Sequence, residues 1–266
     1  MLGEPGFLEE LSSCELCEHR CRVDRLAGEE GVCRVTMPAV ASRALHPAPP
    51  QSYTIFMAGC NLKCLNCQNW NISQYPDSGQ EVEGYVEPEA LARQAVGMLE
   101  SPGGKLMGAD RLFFSGGEPT LHLPYIERVV SESRRISPGC MVNFDTNGFM
   151  TEGSLERILG FADSITFDLK AYDDDTHLAL TGAPAALVLR NAETAARKAP
   201  EKIWEFRITV IPGINEEDVG HLCRFLAGIS RDLPVCFLAF RPNFVLGGHP
   251  GAPGPLMDRC VRDARL

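Results

Sequence analysis

Gly59-Cys60-Asn61-Leu62-Lys63-Cys64-Leu65-Asn66-Cys67 carries three cysteines in C-x3-C-x2-C spacing. Three thiolates this close together supply all but one of the four ligands that complete a cubane iron–sulfur cluster. A cluster held by three leaves one iron open to another ligand. The plainer alternative is three buried or zinc-binding cysteines in an ordinary domain. A second stretch, Ser115-Gly116-Gly117-Glu118-Pro119, bears on that choice. It follows Asp110-Arg111-Leu112-Phe113-Phe114, whose short apolar run reads as a buried strand. Glycines just after a strand let backbone come close to a ligand, and Pro119 stiffens the exit.

Taken together, the two stretches resemble the radical S-adenosylmethionine (SAM) enzymes. The resemblance implies that Cys60, Cys64 and Cys67 hold a [4Fe-4S] cluster whose open iron chelates the amino and carboxylate groups of SAM. It also implies that Gly116, Gly117 and Glu118 line the methionine end, with Glu118 receiving the ammonium. Three further segments are similar to pyruvate formate-lyase activating enzyme and its relatives: Asp145-Thr146-Asn147-Gly148-Phe149, Phe167-Asp168-Leu169-Lys170, and Arg207 with Val210-Ile211-Pro212-Gly213. By that likeness Asp145, Asp168 and Lys170 are the catalytic set facing SAM or a peptide substrate. Asn66, Gln68, Arg207 and His221 complete the cofactor-binding residues. Asn66 stands where the activating enzyme has an aromatic residue. Cys67-Gln68-Asn69-Trp70-Asn71-Ile72-Ser73-Gln74 looks more like the PflX-like and AmmeMemoRadiSam branches of the family.

Several of these residues also have ordinary structural readings. Asp145 could cap the turn that follows it, and Asp168 with Lys170 could be a simple ion pair. Arg207 projects from an apolar strand, where an arginine is costly unless paired, so a carboxylate partner or the SAM carboxylate is expected. Trp70 either covers the cluster or packs in the core. His122, His177 and His249 are expected at the surface or at caps. Cys140, Cys223, Cys236 and Cys260 lie in or near apolar runs and read as small core residues.

The chain has 266 residues, 44% of them apolar, enough for one large α/β domain with a modest extra element. A formal charge of −10 and the absence of long basic stripes disfavour nucleic-acid binding. No stretch is long and apolar enough to predict a membrane span. Met1-Leu2-Gly3-Glu4-Pro5 lacks the marks of a secretory signal, so a cytoplasmic location is expected. Seven of the 11 cysteines lie in the first 67 residues, which without a signal favours metal binding over disulfides. The oxygen sensitivity of an open cluster points to an anaerobic or microaerobic host.

Residues 1–45 read as a cysteine-rich extension and residues 46–266 as the main domain, joined at His46-Pro47-Ala48-Pro49-Pro50. In the extension, Cys14, Cys17, Cys21 and Cys33 offer four more ligands, suited to structural zinc or to an auxiliary iron–sulfur cluster. The main domain alternates strand and helix, with strands expected over 53–57, 112–114, 141–145, 165–169, 203–211 and 235–240. The resemblance implies a partial (β/α)6 radical SAM barrel; alternation alone leaves a doubly wound sheet open. Either way, polar residues at the carboxyl ends of strands mark the site.

The expected activity is reductive cleavage of SAM followed by hydrogen abstraction from a substrate, by resemblance a protein, with a one-electron donor such as flavodoxin or ferredoxin. A small-molecule-modifying radical enzyme and a non-enzymatic electron carrier or scaffold are the alternatives. A monomer is expected.

Overall fold

The computed structural model describes residues 5–265. Among them are seven strands: β1 (Val40–His46), β2 (Ser52–Met57), β3 (Arg111–Gly116), β4 (Met141–Thr146), β5 (Ser164–Leu169), β6 (Ile203–Val210) and β7 (Val235–Ala239). The α-helices are α1 (Trp70–Ser73), α2 (Pro88–Glu100), α3 (Pro102–Met107), α4 (Leu123–Ile136), α5 (Glu152–Phe161), α6 (Asp174–Thr181), α7 (Ala185–Lys198), α8 (Asp218–Ile229) and α9 (Gly254–Ala264). The chain divides into two compact units.

The first unit runs to Asn61 and adds Asn69–Asp145 and Thr151–Asp163. Its β2 pairs in parallel with β3, and β3 with β4. Ile55, Met57, Leu112, Phe114, Val142 and Phe144 are fully buried on these strands, as expected when helices cover a parallel sheet. Pro88 opens α2, where its missing N–H leaves no partner wanting. The helix buries Leu91, Ala92, Ala95 and Val96. Its neighbour α4 buries Tyr125, Ile126, Val129 and Val130.

The structure corrects the strand count from six to seven. β1 pairs antiparallel with β2, from Val40↔Met57 to His46↔Ser52. The expected boundary at residue 45 therefore falls inside a strand.

The second unit comprises Leu62–Gln68, Thr146–Met150 and the chain from Ser164 onward. β5, β6 and β7 are parallel in that order. Asp168 lies opposite Arg207, and Arg207 opposite Cys236. The helix α7 is amphipathic, with Val188, Asn191, Ala192, Ala195 and Ala196 on its buried side. Leu65, from the cysteine loop, packs against Leu180, Ile211, Phe240 and Leu246.

Candidate active site

In the first unit, β2 leads through Ala58 and Gly59 to Cys60, which is buried. β3 runs beside it and ends at the glycine pair. Gly117 N–H donates to Met57 O (2.9 Å) and Glu118 N–H to Gly59 O (2.9 Å), so the two strand exits stay paired beyond the sheet. Only glycine fits this approach. A Cβ on Gly116 would lie 2.2 Å from Met57 O, and one on Gly117 would lie 1.9 Å from Gly59 O. The glycines thus serve first to press two backbones together.

Glu118 is buried, and its Oε1 accepts from Thr120 N–H (3.1 Å) and Thr120 Oγ1 (2.5 Å). It caps the short turn Pro119–His122, a structural role separate from the one expected for it toward SAM. Ser115 Oγ donates to Asp145 Oδ2 at 2.6 Å, linking the ends of β3 and β4. Asn69 Nδ2 donates to Gly116 O at 3.2 Å. Sequence alone gives Ser115 and Asn69 no role, because both bonds depend on backbone brought together by the fold. Trp70 is 41% exposed, which removes simple core packing as its explanation.

His122 and His177, expected at the surface or at caps, are both fully buried. His122 Nε2 lies 2.8 Å from Ala58 O. A carbonyl only accepts, so the proton sits on Nε2. Burial, helped by the Arg25 cation, pushes the His122 pKa down to about 3. His177, in the second unit, meets Ala183 O at 2.7 Å through Nδ1, and burial lowers its pKa as well. His249 is partly buried, with Nε2 2.7 Å from Pro212 O.

In the second unit, Lys63 N–H donates to Thr181 O (2.7 Å) and Leu65 N–H to Leu180 O (2.9 Å), which pins the cysteine loop to the end of α6. Lys170 Nζ donates to Asp168 Oδ2 at 2.8 Å. Leu169 between them is buried, as alternation along a strand requires. Burial alone would lower the Lys170 pKa, but Asp168 and the Cys64 and Cys67 sulfurs outweigh it and the net shift is upward. Burial pushes the Cys64 thiol up to about 11, against a downward pull from Lys170. An ammonium, a carboxylate and two thiols therefore share one electrostatic neighbourhood.

Arg207 finds the carboxylate it needs in Glu205, with Nε and Nη2 at 3.1 and 3.0 Å from Oε1. Asp168 Oδ1 is 3.9 Å from Arg207 Nε. The turn after β4 is fixed by Thr146 Oγ1 accepting from Gly148 N–H (3.0 Å) and Asn147 Oδ1 accepting from Phe149 N–H (2.9 Å). Its side-chain caps are thus Thr146 and Asn147. Gln68 is exposed. His221 is half-exposed on α8, with Nδ1 3.7 Å from Asp218 Oδ1. It lines a cavity of about 580 Å³ with Tyr172, Asp173, Thr176, Gly213 and Glu216. Cys64, Cys67, Asp168 and Lys170 are not among that cavity's lining residues.

The donor set suits an iron–sulfur cluster. All 11 cysteines are free. Between Cys64 and Cys67, the buried Asn66 Oδ1 has no hydrogen-bond partner, an arrangement that leaves an acceptor for a bound group. Among the described residues no three His, Cys, Asp or Glu side chains already form a finished metal cage.

The radical SAM superfamily model matches residues 54–226, more than half of the chain. The chain belongs to the radical SAM superfamily. Members of this superfamily are enzymes that use a [4Fe-4S] cluster and SAM. The pyruvate formate-lyase-activating enzyme of Staphylococcus epidermidis is 30% identical over 206 residues, covering 73% of this chain and 76% of that protein. The "Uncharacterized protein MJ0674" of Methanocaldococcus jannaschii is 31% identical over 163 residues, 59% of this chain. This chain spans only 45% of that relative's length. The crystal structure of HydG, a maturase of the [FeFe]-hydrogenase, matches 77% of this chain and 48% of its own, with a TM-score of 0.54 and 16% identity. That likeness concerns the fold, which is the parallel-dominated α/β fold of radical SAM enzymes. Among the described residues no helix is long and apolar enough to cross a membrane.

Proposed function

We propose that this enzyme cleaves SAM reductively and abstracts hydrogen from a residue of a protein substrate, in the manner of the glycyl-radical activating enzymes. The observation that carries the reading is the Lys170–Asp168 pair in electrostatic contact with Cys64 and Cys67. Homology to the activating enzymes supports it.

Cys60, Cys64 and Cys67 are the proposed cluster ligands. The bound cluster would supply one electron, drawn from a donor such as flavodoxin or ferredoxin, for the reductive cleavage of SAM that would lead to hydrogen abstraction from the substrate. Lys170 pulls the Cys64 thiol toward the thiolate that metal coordination requires, against the opposing effect of burial. Its ammonium can also hold a carboxylate through a charge-assisted bond. Asp168 keeps that ammonium charged and in place, while Glu205 steadies Arg207. Ser115 orients the Asp145 carboxylate at the end of β4. Glu118, Gly116 and Gly117 form the proposed edge for the methionine end of SAM. Gln68, exposed just after Cys67, and His221, half-exposed on α8, are the proposed outer cofactor contacts.

The test is anaerobic reconstitution followed by SAM cleavage, with deuterium placed in candidate partner peptides. Label in the 5′-deoxyadenosine is the expected result. A metabolite pool that passes its deuterium on, beside peptides that never do, would make the substrate a small molecule.

A further inference from the structure

The four N-terminal cysteines take no part in the chemistry described above. Their backbone is tightly organised. Cys14 N–H donates to Val23 O (3.1 Å) and Arg22 N–H to Cys14 O (3.0 Å), so the segment closes on itself. A turn follows Cys17, with Arg20 N–H on Cys17 O at 2.9 Å. A second turn carries Cys33, with Arg34 N–H on Gly31 O at 3.0 Å. The two turns meet. A Cβ on Gly31 would lie 2.8 Å from Cys21 Sγ, and Cys17 and Cys33 share one buried cluster with Val35 and Leu121.

Three arginines beside these cysteines adopt the left-handed region: Arg20 at φ 44°, Arg22 at φ 55° and Arg34 at φ 59°. Each costs about 1–2 kcal/mol for a residue with a Cβ, and such strain persists only where surrounding interactions hold it. They flank Cys21 and follow Cys33, so the strain is concentrated where the sulfurs are presented.

Arg25 supplies an independent observation. It is 1% exposed. Nε donates to Thr36 O (3.2 Å), and Nη1 to Leu121 O (2.8 Å) and Cys14 Sγ (3.6 Å). Nη2 is buried with no partner. No carboxylate pairs with Arg25 among the described residues. A guanidinium stays charged at any physiological pH, and a buried charge without a counter-charge is strongly unfavourable. Four thiolates on one divalent ion, or on a cluster, leave net negative charge of the kind this cation lacks.

We infer that Cys14, Cys17, Cys21 and Cys33 form a closed four-thiolate metal centre with Arg25 as its buried counter-cation. Four protein ligands leave no open coordination position, so this centre does not bind SAM. It staples the two turns. Since no finished cage is present among the described residues, metal entry has to draw the thiolates together and should protect residues 14–36 from hydrogen exchange. The ion is a thiophilic one, a single zinc or a second iron–sulfur cluster.

The test uses the full chain with C60A, C64A and C67A, so that the centre is read apart from the site proposed for SAM. This protein is stripped anaerobically and loaded in parallel with Zn²⁺ and with ferrous iron plus sulfide. Expected is one zinc or one cluster per chain after desalting, together with slowed exchange over residues 14–36. Elemental analysis and Mössbauer spectra tell the two apart. The further changes C14S and C33S should abolish retention. Arg25→Gln should release metal to a chelator about ten-fold more readily, the scale of one lost charge-assisted bond, whereas Arg25→Lys should stay nearer the parent. No retained metal in either arm, or equal metal with and without Cys14 and Cys33, overturns the centre. Unchanged retention in Arg25→Gln overturns the role of Arg25.

Discussion

Removing the Asp168 carboxylate as Asp168→Asn tests whether the pair beside Cys64 is functional architecture. Lys170 Nζ sits 2.8 Å from Asp168 Oδ2, with side chains 16% and 27% exposed. At an effective dielectric constant near 20, charges at that distance attract by about 6 kcal/mol. Desolvation of both groups removes much of this, so the net loss on breaking the pair is about 2–4 kcal/mol. Arg207 keeps Glu205 and is largely unaffected. Lys170 is left with burial opposed only by the Cys64 and Cys67 sulfurs. Lys170→Met should be milder, because Asp168 retains Arg207 at 3.9 Å. The double variant Asp168→Asn/Lys170→Met should recover part of the loss, with a coupling of about 2 kcal/mol in a double-mutant cycle. Anaerobic urea unfolding of the metal-free proteins supplies the stabilities, and calorimetry on the reconstituted proteins the SAM affinity. Additive effects within about 0.5 kcal/mol, together with unchanged SAM affinity in both single variants, would refute the reasoning.

Gly117→Ala places a methyl 1.9 Å from Gly59 O, a backbone atom that cannot swing aside. The expected loss is about 1–3 kcal/mol from overpacking, read as a lower urea midpoint; an unchanged midpoint would show the strand exits to be pliable. Burial holds the folded His122 ring down at a pKa of about 3, against 6.5 for a free imidazole, so the folded state binds fewer protons between these values. Stability should therefore fall as pH drops below 6.5, with this residue adding a slope of about 1.4 kcal/mol per pH unit. His122→Gln keeps a donor toward Ala58 O and should flatten that slope, so identical slopes in parent and variant would contradict the buried neutral ring. Glu118→Gln should weaken SAM binding about ten-fold or more by loss of a charge-assisted bond, while its cap to Thr120 limits the stability loss to about 1 kcal/mol. Unchanged SAM affinity would leave Glu118 as a cap alone.

The six expected strands agree with β2 to β7 to within a few residues, because strands covered on both faces read as apolar runs such as Leu112–Phe114. β1 escaped because an edge strand shows a different pattern. Val40 and Ala41 are buried, but Ser42, Ala44 and His46 are exposed, and no continuous run announces it. His177 follows Asp173-Asp174-Asp175-Thr176 and reads as solvated, yet α6 turns that ring inward onto Ala183 O and Thr181. The paired positions of Asp168 and Lys170 were legible because residues two apart share a strand face. The Ser115 bond to Asp145 and the Glu118 cap were not, since each depends on backbone brought together by sheet register or by a 3-10 turn. The Glu205 partner of Arg207 was half visible: the need for a carboxylate was clear, its identity was not.

The most direct test of the central claim is 5′-deoxyadenosine formation by anaerobically reconstituted protein given a strong one-electron reductant. The parent should cleave SAM to methionine and 5′-deoxyadenosine. Cys60→Ala, Cys64→Ala and Cys67→Ala should each abolish product while the circular dichroism of the fold is retained. Product at the parent rate from Cys64→Ala would contradict the assignment.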